Sequence, residues 1–430
     1  MKRAPPAPDT LAAEGPGDPA AGGPWDALVL GGGAAGLWAA GTAARRGRRV
    51  LLLEKNPRVG VKVLASGGGA CNLTTTLGPR EAARWFGRAG ERFLAPAFRA
   101  LPPAALREAF EALGVPTEVE EALEKVWPVS RRAHDVAAAL LRRAREAGAR
   151  VRTATPVTAL LREAAGWRVH TPHGSTTAPH VLLAVGGRSY ARTGTTGDGY
   201  AWLAAAGHTV TPLAPALVPL VVEVGWVREL AGIALEAGVQ VLDAAGRVLL
   251  ERRRPLLFTH TGLSGPAAMD ASRWFSLPPP AGGPPRLLLD LLPGLSHEAL
   301  RERLERALAA GGTLAAALPD VLPARLRRAL CQVAGAGPDL PAAGVSREVR
   351  HALVQALKRL ELPVAGTRGW DHAEVTAGGV ALDEVDPGTL ASRVAPGLFV
   401  AGELLDLDGP IGGFSFQAAF ATGELAGRHL

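Results

Sequence analysis

The chain has 430 residues, 47% of them hydrophobic and 20% charged, with a formal net charge of +7. That length predicts two or three domains, and that composition a globular chain with a full core, which excludes disordered and fibrous classes. No apolar run reaches bilayer length, and Met1-Lys2-Arg3 leads into Pro, Asp and Gly instead of an apolar signal segment, so a cytoplasmic protein without membrane attachment is expected.

The positive charge invites a polyanionic partner. Only five of the basic residues are Lys, however, and the Arg, Ala, Gly and Pro content also fits GC-rich coding. Cys71 and Cys331 are far apart and form no C-x-x-C, so no disulfide framework, dithiol pair or metal site is expected.

Residues 1–24 are rich in Pro, Ala and Gly without periodicity and read as a disordered tail. Ala27–Leu30 then forms a short apolar run suited to a buried strand. Gly31, Gly33 and Gly36 follow as G-x-G-x-x-G, with Ala34 and Ala35 opening an Ala-rich helix that Gly47 closes. Val50–Leu53 is a second buried strand, and Glu54 ends it 18 residues after Gly36. This is a dinucleotide-binding β-α-β unit. Gly31 permits the tight turn, Gly33 lets a pyrophosphate approach the backbone, and Gly36 lets helix and strand pack. The helix N-terminus faces the pyrophosphate, and Glu54 accepts hydrogen bonds from the adenosine ribose, with Lys55 beside it.

After Lys62, which could pair with phosphate, Ser66-Gly67-Gly68-Gly69-Ala70-Cys71-Asn72 places three glycines together, as a backbone pressed against a flat or anionic ligand would. Residues 79–114 have helical spacing, with Trp85, Phe86, Phe93, Phe98, Leu106, Phe110 and Leu113 as core. Val126–Ser130 reads as a loop, Asp135–Ala147 as a helix, and Val151–Leu161 with Gly166–Thr171 as strands of a meander. Val157 falls where the backbone could contact adenine. His180–Val185 is another buried strand, ending at Ala184 and the glycines Gly186 and Gly187.

The chain is expected to leave this first part (25–200) for an inserted β-rich and helical domain (201–368). Its strands are placed at Ala216–Val224, Val239–Leu242 and Leu287–Leu291, and Leu256–Pro266 is a polar, turn-rich loop carrying His260. Residues 296–361 are helical and Arg-rich. The chain returns over 369–430 with a strand at Glu374–Val380. A further strand ends in Gly402-Glu403, and a last helix opens after Gly412-Gly413-Phe414.

A fingerprint at one end and a strand ending Gly-Glu near the other fit FAD better than NAD. Its AMP end would lie on the first unit, its ribityl chain on Glu403, and the last helix would aim its positive N-terminus at the flavin pyrimidine ring. The motifs Gly31–Gly36, Ser66–Thr74, Trp127–Ser130, Ala184–Tyr200 with Gly207-His208, Leu257–Pro266, Glu374–Val380 and Gly397–Gly423 together resemble the BaiN/RdsA-type flavoproteins, also called aminoacetone-oxidase-like FAD-binding enzymes. The resemblance implies a glutathione-reductase-type, Rossmann-like α/β FAD domain, split by an inserted β-barrel-like domain with a helical appendage. It implies FAD-binding roles for Gly31, Gly33, Gly36, Glu54, Ser66–Gly69, Gly402, Glu403, Gly412 and Gly413. Two departures stand out: Ala70 where the family has Arg, and Phe414-Ser415 where it has Tyr-Asn.

The implied chemistry is reduction of an activated ring C=C bond, either in uridine of ribosomal RNA or in a small hydrophobic enone, with NAD(P)H as a visiting donor. Cys71 and His260 are the candidate proton donors, each set against a structural role as a packed thiol or a hydrogen-bonded loop histidine. Asp406 and Asp408 are read as partners of the Gly409-Pro410 turn. Arg325, Arg327, Arg328, Arg347 and Arg350 lean toward an RNA substrate. The competing functions are an oxygen-using amine or amino-ketone oxidase and a non-catalytic FAD-binding redox protein.

Overall fold

The computed structural model describes residues 11–279 and 283–430. They form two compact units, one reaching to Ala214 and resuming over Glu374–Leu430, the other Pro215–Ala373. The insert therefore starts later than the expected 201. Helix Asp198–Ala205 belongs to the first unit, where Leu203 is wholly buried. His208 is held there by Glu384 Oε2 (3.0 Å) and Ser392 Oγ (2.7 Å).

Five parallel strands build the first unit, in the order Leu398–Val400, His180–Leu183, Ala27–Leu30, Val50–Leu53, Arg150–Arg152. Four are short apolar runs buried on both faces, as parallel strands require. The fifth corrects the expected meander strand Val151–Leu161. Arg150–Arg152 joins the parallel sheet, and Ala159–Glu163 starts the meander with Gly166–Thr171 and Gly174–Ala178.

Helix Ala34–Arg45 packs against the last helix, Phe414–His429, with backbones nearly touching. A Cβ at Gly423 would sit 2.5 Å from Ala35 O, and one at Gly427 would sit 2.6 Å from Ala39 O. Arg143, on helix Ala133–Glu146, locks this layer from inside. It donates to Trp38 O (2.7 Å) and Thr42 Oγ1 (2.8 Å) and lies over the Trp38 ring at 4.1 Å. Burial pulls its pKa down to about 9. Glu424 answers it, accepting from Trp38 Nε1 (2.8 Å) and Thr42 Oγ1 (2.7 Å).

The helical stretch 79–114 is three helices, Pro79–Arg84, Gly87–Ala100 and Pro103–Ala112, whose Phe93, Phe98, Leu106 and Phe110 are core as expected. Val126–Ser130, expected as a loop, is mostly strand: Lys125–Pro128 pairs with Thr117–Glu120 and Thr74–Thr75. Pro128 is tolerated because it closes the strand, where no ladder N–H is required. Of the expected tail, residues 1–10 lie outside the described residues. Residues 11–24 correct the expectation, because Leu11 is wholly buried and its carbonyl accepts from Val59 N (3.2 Å). Glu14 pairs with Arg150 at 2.7 Å. One leucine and one acid anchor a segment whose average composition hides them.

In the second unit seven strands pair antiparallel in the order Leu360–Leu362, Arg286–Asp290, Ala234–Leu242, Val248–Thr259, Gly262–Ser264, Leu220–Val222, Val364–Thr367. The two edge strands are consecutive, separated only by Pro363. The sheet must curl until its edges nearly meet, which is the expected barrel-like form. The expected loop Leu256–Pro266 is instead a strand end, a turn, the strand Gly262–Ser264 and the start of helix Gly265–Ala271. Helices His297–Ala309, Ala324–Val333 and Arg347–Lys358 form the appendage. Lys358 ties the last of them to Asp290 Oδ2 at 2.6 Å.

Candidate cofactor site

The fingerprint glycines divide by task. Gly31 lies at φ +105°, and a Cβ there would come within 2.4 Å of Ala184 O. At Gly36 a Cβ would lie 2.0 Å from Gly31 O. These two pack protein against protein. Gly33 differs: its φ is −86° and nothing lies within 4 Å of the position its Cβ would take. The space opens at the N-terminus of helix Ala34–Arg45, where the first N–H groups have no intrahelical partner. A pyrophosphate fits such an opening, so the residues present suit a dinucleotide.

Glu54 ends its strand nine-tenths buried. Its Oε2 accepts from Gly32 N (2.7 Å), and its Oε1 from Asn56 N (2.7 Å) and Asn56 Nδ2 (2.7 Å). Burial raises its pKa above the ordinary 4.5, against the pull of these donors. Thr155 N donates to Glu54 O (2.9 Å), and Val157 follows two residues on, half-buried. Lys55 is turned away, bound to Asp198 Oδ2 (2.6 Å) and Thr196 Oγ1 (2.7 Å).

Lys62 does not stand free for a phosphate. Its Nζ donates to Glu403 Oε2 (2.5 Å) and Ser189 Oγ (2.8 Å). Glu403 follows Gly402, whose φ of +72° carries the chain past the first turn of the fingerprint helix: a Cβ at Gly402 would lie 3.2 Å from Ala35 Cβ. Burial pushes the Glu403 pKa up, but the Lys62 charge and the hydrogen bonds from Lys62, Ser189 and Thr376 N outweigh it and hold the carboxyl below its ordinary value. Ala184 and Gly186 lie on the turn leading to Ser189. Gly187 has no room for a side chain, since a Cβ would lie 2.4 Å from Thr376 Oγ1.

Ser66–Gly69 form one tight turn, with Gly67, Gly68 and Gly69 all left-handed at φ 53°, 65° and 94°. Gly68 faces open space, whereas a Cβ at Gly67 would press the Trp127 ring at 2.9 Å. Cys71 follows at φ 57° with no exposed surface, and burial pushes its thiol up to about 12. A thiol so enclosed packs the loop, the structural role set against proton donation. Asn72, with its amide oriented so that both ends are satisfied, accepts from Gly413 N (3.0 Å) and donates to Thr74 O (2.9 Å) and Val126 O (3.1 Å). It fixes the Gly412-Gly413 turn that opens the last helix. The Phe414 ring is buried against Trp85 and Phe86 at the start of the last helix.

His260 is exposed in the other unit, on the turn between Val248–Thr259 and Gly262–Ser264. Sequence reasoning missed Asn56, Ser189 and Thr376. The signal available for Thr376 was a hydroxyl residue inside an otherwise apolar, glycine-flanked strand. Among the described residues no group of His, Cys, Asp and Glu could hold a metal ion, and no helix is long and apolar enough to cross a membrane.

A family model described as the HI0933-like protein Rossmann domain matches residues 25–429. A 3-dehydro-bile acid delta(4,6)-reductase of Clostridium scindens is 33% identical over 404 residues, covering 93% of this chain and 97% of that protein. A ribosomal RNA dihydrouridine synthase of Escherichia coli is 28% identical over 410 residues, covering 94% and 98%. Among solved structures, a 3-ketosteroid delta1-dehydrogenase of Sterolibacterium denitrificans is 16% identical with a TM-score of 0.49, covering 94% of this chain and 99% of that one.

Proposed function

The chain belongs to the HI0933-like Rossmann-domain family and is an FAD-dependent oxidoreductase, and we propose from that premise that it reduces an activated ring C=C bond. The observation that carries the cofactor is the open space at Gly33, flanked by Glu54 and Glu403 on two strands of one parallel sheet. When bound, FAD supplies a hydride at flavin N5. The protein's part is to seat the pyrophosphate on the helix at Ala34, to accept ribose hydroxyls at Glu54 and to accept a ribityl hydroxyl at Glu403. NAD(P)H is the donor we favour.

Two relatives' names support the reaction class, since a delta(4,6)-reductase and a dihydrouridine synthase each saturate a ring C=C bond. We take a small hydrophobic enone as the first substrate. Ala70 stands where the resemblance expects Arg, which removes a contact for an anionic substrate. The arginines expected to meet RNA also have work inside their own unit: Arg328 pairs with Asp339 at 3.0 Å, and Arg325 donates to Glu229 O at 3.0 Å. Uridine in ribosomal RNA is the second reading, favoured by the length of the match to the Escherichia coli protein.

The test is anaerobic reduction of the flavin-loaded protein by NADPH or NADH, followed by mixing with a 3-keto-4-ene steroid, with unmodified ribosomal RNA, or with oxygen. Reoxidation by the steroid, with a product two hydrogens heavier, supports the first reading. Reoxidation by RNA alone selects the second. Reoxidation by oxygen alone overturns both in favour of an oxidase, and reduction with no acceptor at all in favour of a non-catalytic redox protein. Gly33→Ala, which the open space admits, is the control: it should fold normally and lose the flavin.

A further inference from the structure

We propose that Ser189 and Thr376, together with Lys62, are positioning residues that fix the Glu403 carboxylate so that it offers one acceptor position, on Oε2, to one hydroxyl of the FAD ribityl chain. This rests on the FAD reading of the first unit.

A carboxylate has about four acceptor positions, two on each oxygen. Oε1 of Glu403 already receives Ser189 Oγ (2.9 Å) and Thr376 N (2.9 Å). Among the described residues Oε2 receives only Lys62 Nζ, at 2.5 Å. One position is left, and it lies on Oε2. Ser189 is the hub of the arrangement. Its hydroxyl accepts from Lys62 Nζ (2.8 Å) and donates to Glu403 Oε1, with Glu374 O at 3.2 Å as a second acceptor within reach. Its backbone N–H donates to Thr376 Oγ1 (3.2 Å), as does that of Arg188 (2.8 Å).

Ser189 has no exposed surface and is therefore held at both its backbone and its side chain. Gly187 lets the strand carrying Thr376 come this close, since no Cβ fits between them. Lys62, Ser189, Thr376 and Glu403 come from four separate segments, two on each side of the insert in sequence.

The experiment compares FAD with three analogues lacking the 2′-, 3′- or 4′-hydroxyl of the ribityl chain, titrated into apoprotein and read by flavin fluorescence. For the wild-type chain, one analogue should bind about tenfold more weakly than FAD and the other two within about threefold, the loss of one charge-assisted hydrogen bond. Ser189→Ala removes one of the two donors to Oε1, and Thr376→Val removes the acceptor that holds the Ser189 backbone, so each leaves the carboxylate less firmly oriented. FAD itself should then bind about tenfold more weakly, and the discrimination against that one analogue should fall below about threefold. Lys62→Arg should keep the discrimination and Lys62→Met should lose it.

Equal binding of all three analogues by the wild-type chain would overturn the proposal, and that arm needs no variant to fold. Weak binding of two or more analogues would overturn it too, as would unchanged discrimination in Ser189→Ala. If the wild-type chain takes up no FAD at all, it is the cofactor reading that falls.

Discussion

Two glutamates that follow two strands of the same parallel sheet have pKa values shifted in opposite directions. The strands of Glu54 and Glu403 are three spacings apart in the sheet order, about 14 Å, with the fingerprint strand between them. Glu54 is met by neutral donors only, from Gly32 and Asn56, and burial raises its pKa. The cation beside it in sequence, Lys55, goes to Asp198. Glu403, half-buried, is met by Lys62, and its pKa falls although burial pushes it up. Glu54 is held by neutral donors against the cost of burial, whereas Glu403 is oriented by a cation as well. Position after a strand decides where a carboxylate sits, and the side chains that converge from elsewhere decide which way its pKa moves.

The largest effect separating the two ends should come from Glu403→Gln. It leaves Lys62 without its anion and should lower apoprotein stability by about 3 kcal/mol in urea unfolding. Adding Lys62→Met should restore more than half of that loss. Glu54→Gln should cost only about 1 kcal/mol, since it keeps one acceptor for neutral donors, yet FAD affinity should fall about tenfold as the ribose loses its anionic acceptor.

Stability against pH gives a sharper contrast because the signs differ. The Glu54 pKa is raised, so its protonation favours the folded apoprotein below 4.5, and that advantage is lost as pH rises through the raised value. The Glu403 pKa is lowered, so its contribution is present above 4.5 and is lost as pH falls through the lowered value. Compared with the wild-type chain, the dependence of apoprotein unfolding on pH should change above 4.5 in Glu54→Gln and become shallower below 4.5 in Glu403→Gln. The smallest effect belongs to Lys55→Met. Its pair with Asp198 is about one-third exposed, so the change should cost under about 0.5 kcal/mol and vanish in high salt, as thermal unfolding at two ionic strengths would show.

The features that local spacing encodes were legible in the sequence. Buried parallel strands are continuous apolar runs, the fingerprint is a contiguous motif, Glu54 follows its strand directly, and Glu403 lies in the short turn Gly402–Leu404 just past its own. What local spacing cannot encode was not. The partner of Lys62 lies 341 residues away, and nothing near Lys62 marks it for a carboxylate instead of a phosphate. Ser189 and Thr376 act through backbone and hydroxyl contacts that leave no periodic trace. Strand Val248–Thr259 was hidden by the charged run Glu251-Arg252-Arg253-Arg254, which masks the alternation that its buried Leu256 and Phe258 reveal. Phe414 was assigned by its place in a motif, whereas its ring was claimed by Trp85 and Phe86.

The pairing of the first helix with the last has a consequence for biosynthesis. Trp38 donates to Glu424, 386 residues downstream, and the backbones of the two helices meet at Gly423 and Gly427. The fingerprint helix is translated well before the last helix, and although Phe110 and Arg143 reach Trp38 in the meantime, the face that meets Gly423 and Gly427 stays uncovered until the last helix follows. Contacts so distant in sequence close slowly, and until they do the nascent chain carries an exposed sticky surface. Ribosome-bound chains stopped before the last helix should therefore need chaperone protection, and flavin loading should be a late event in the life of the polypeptide.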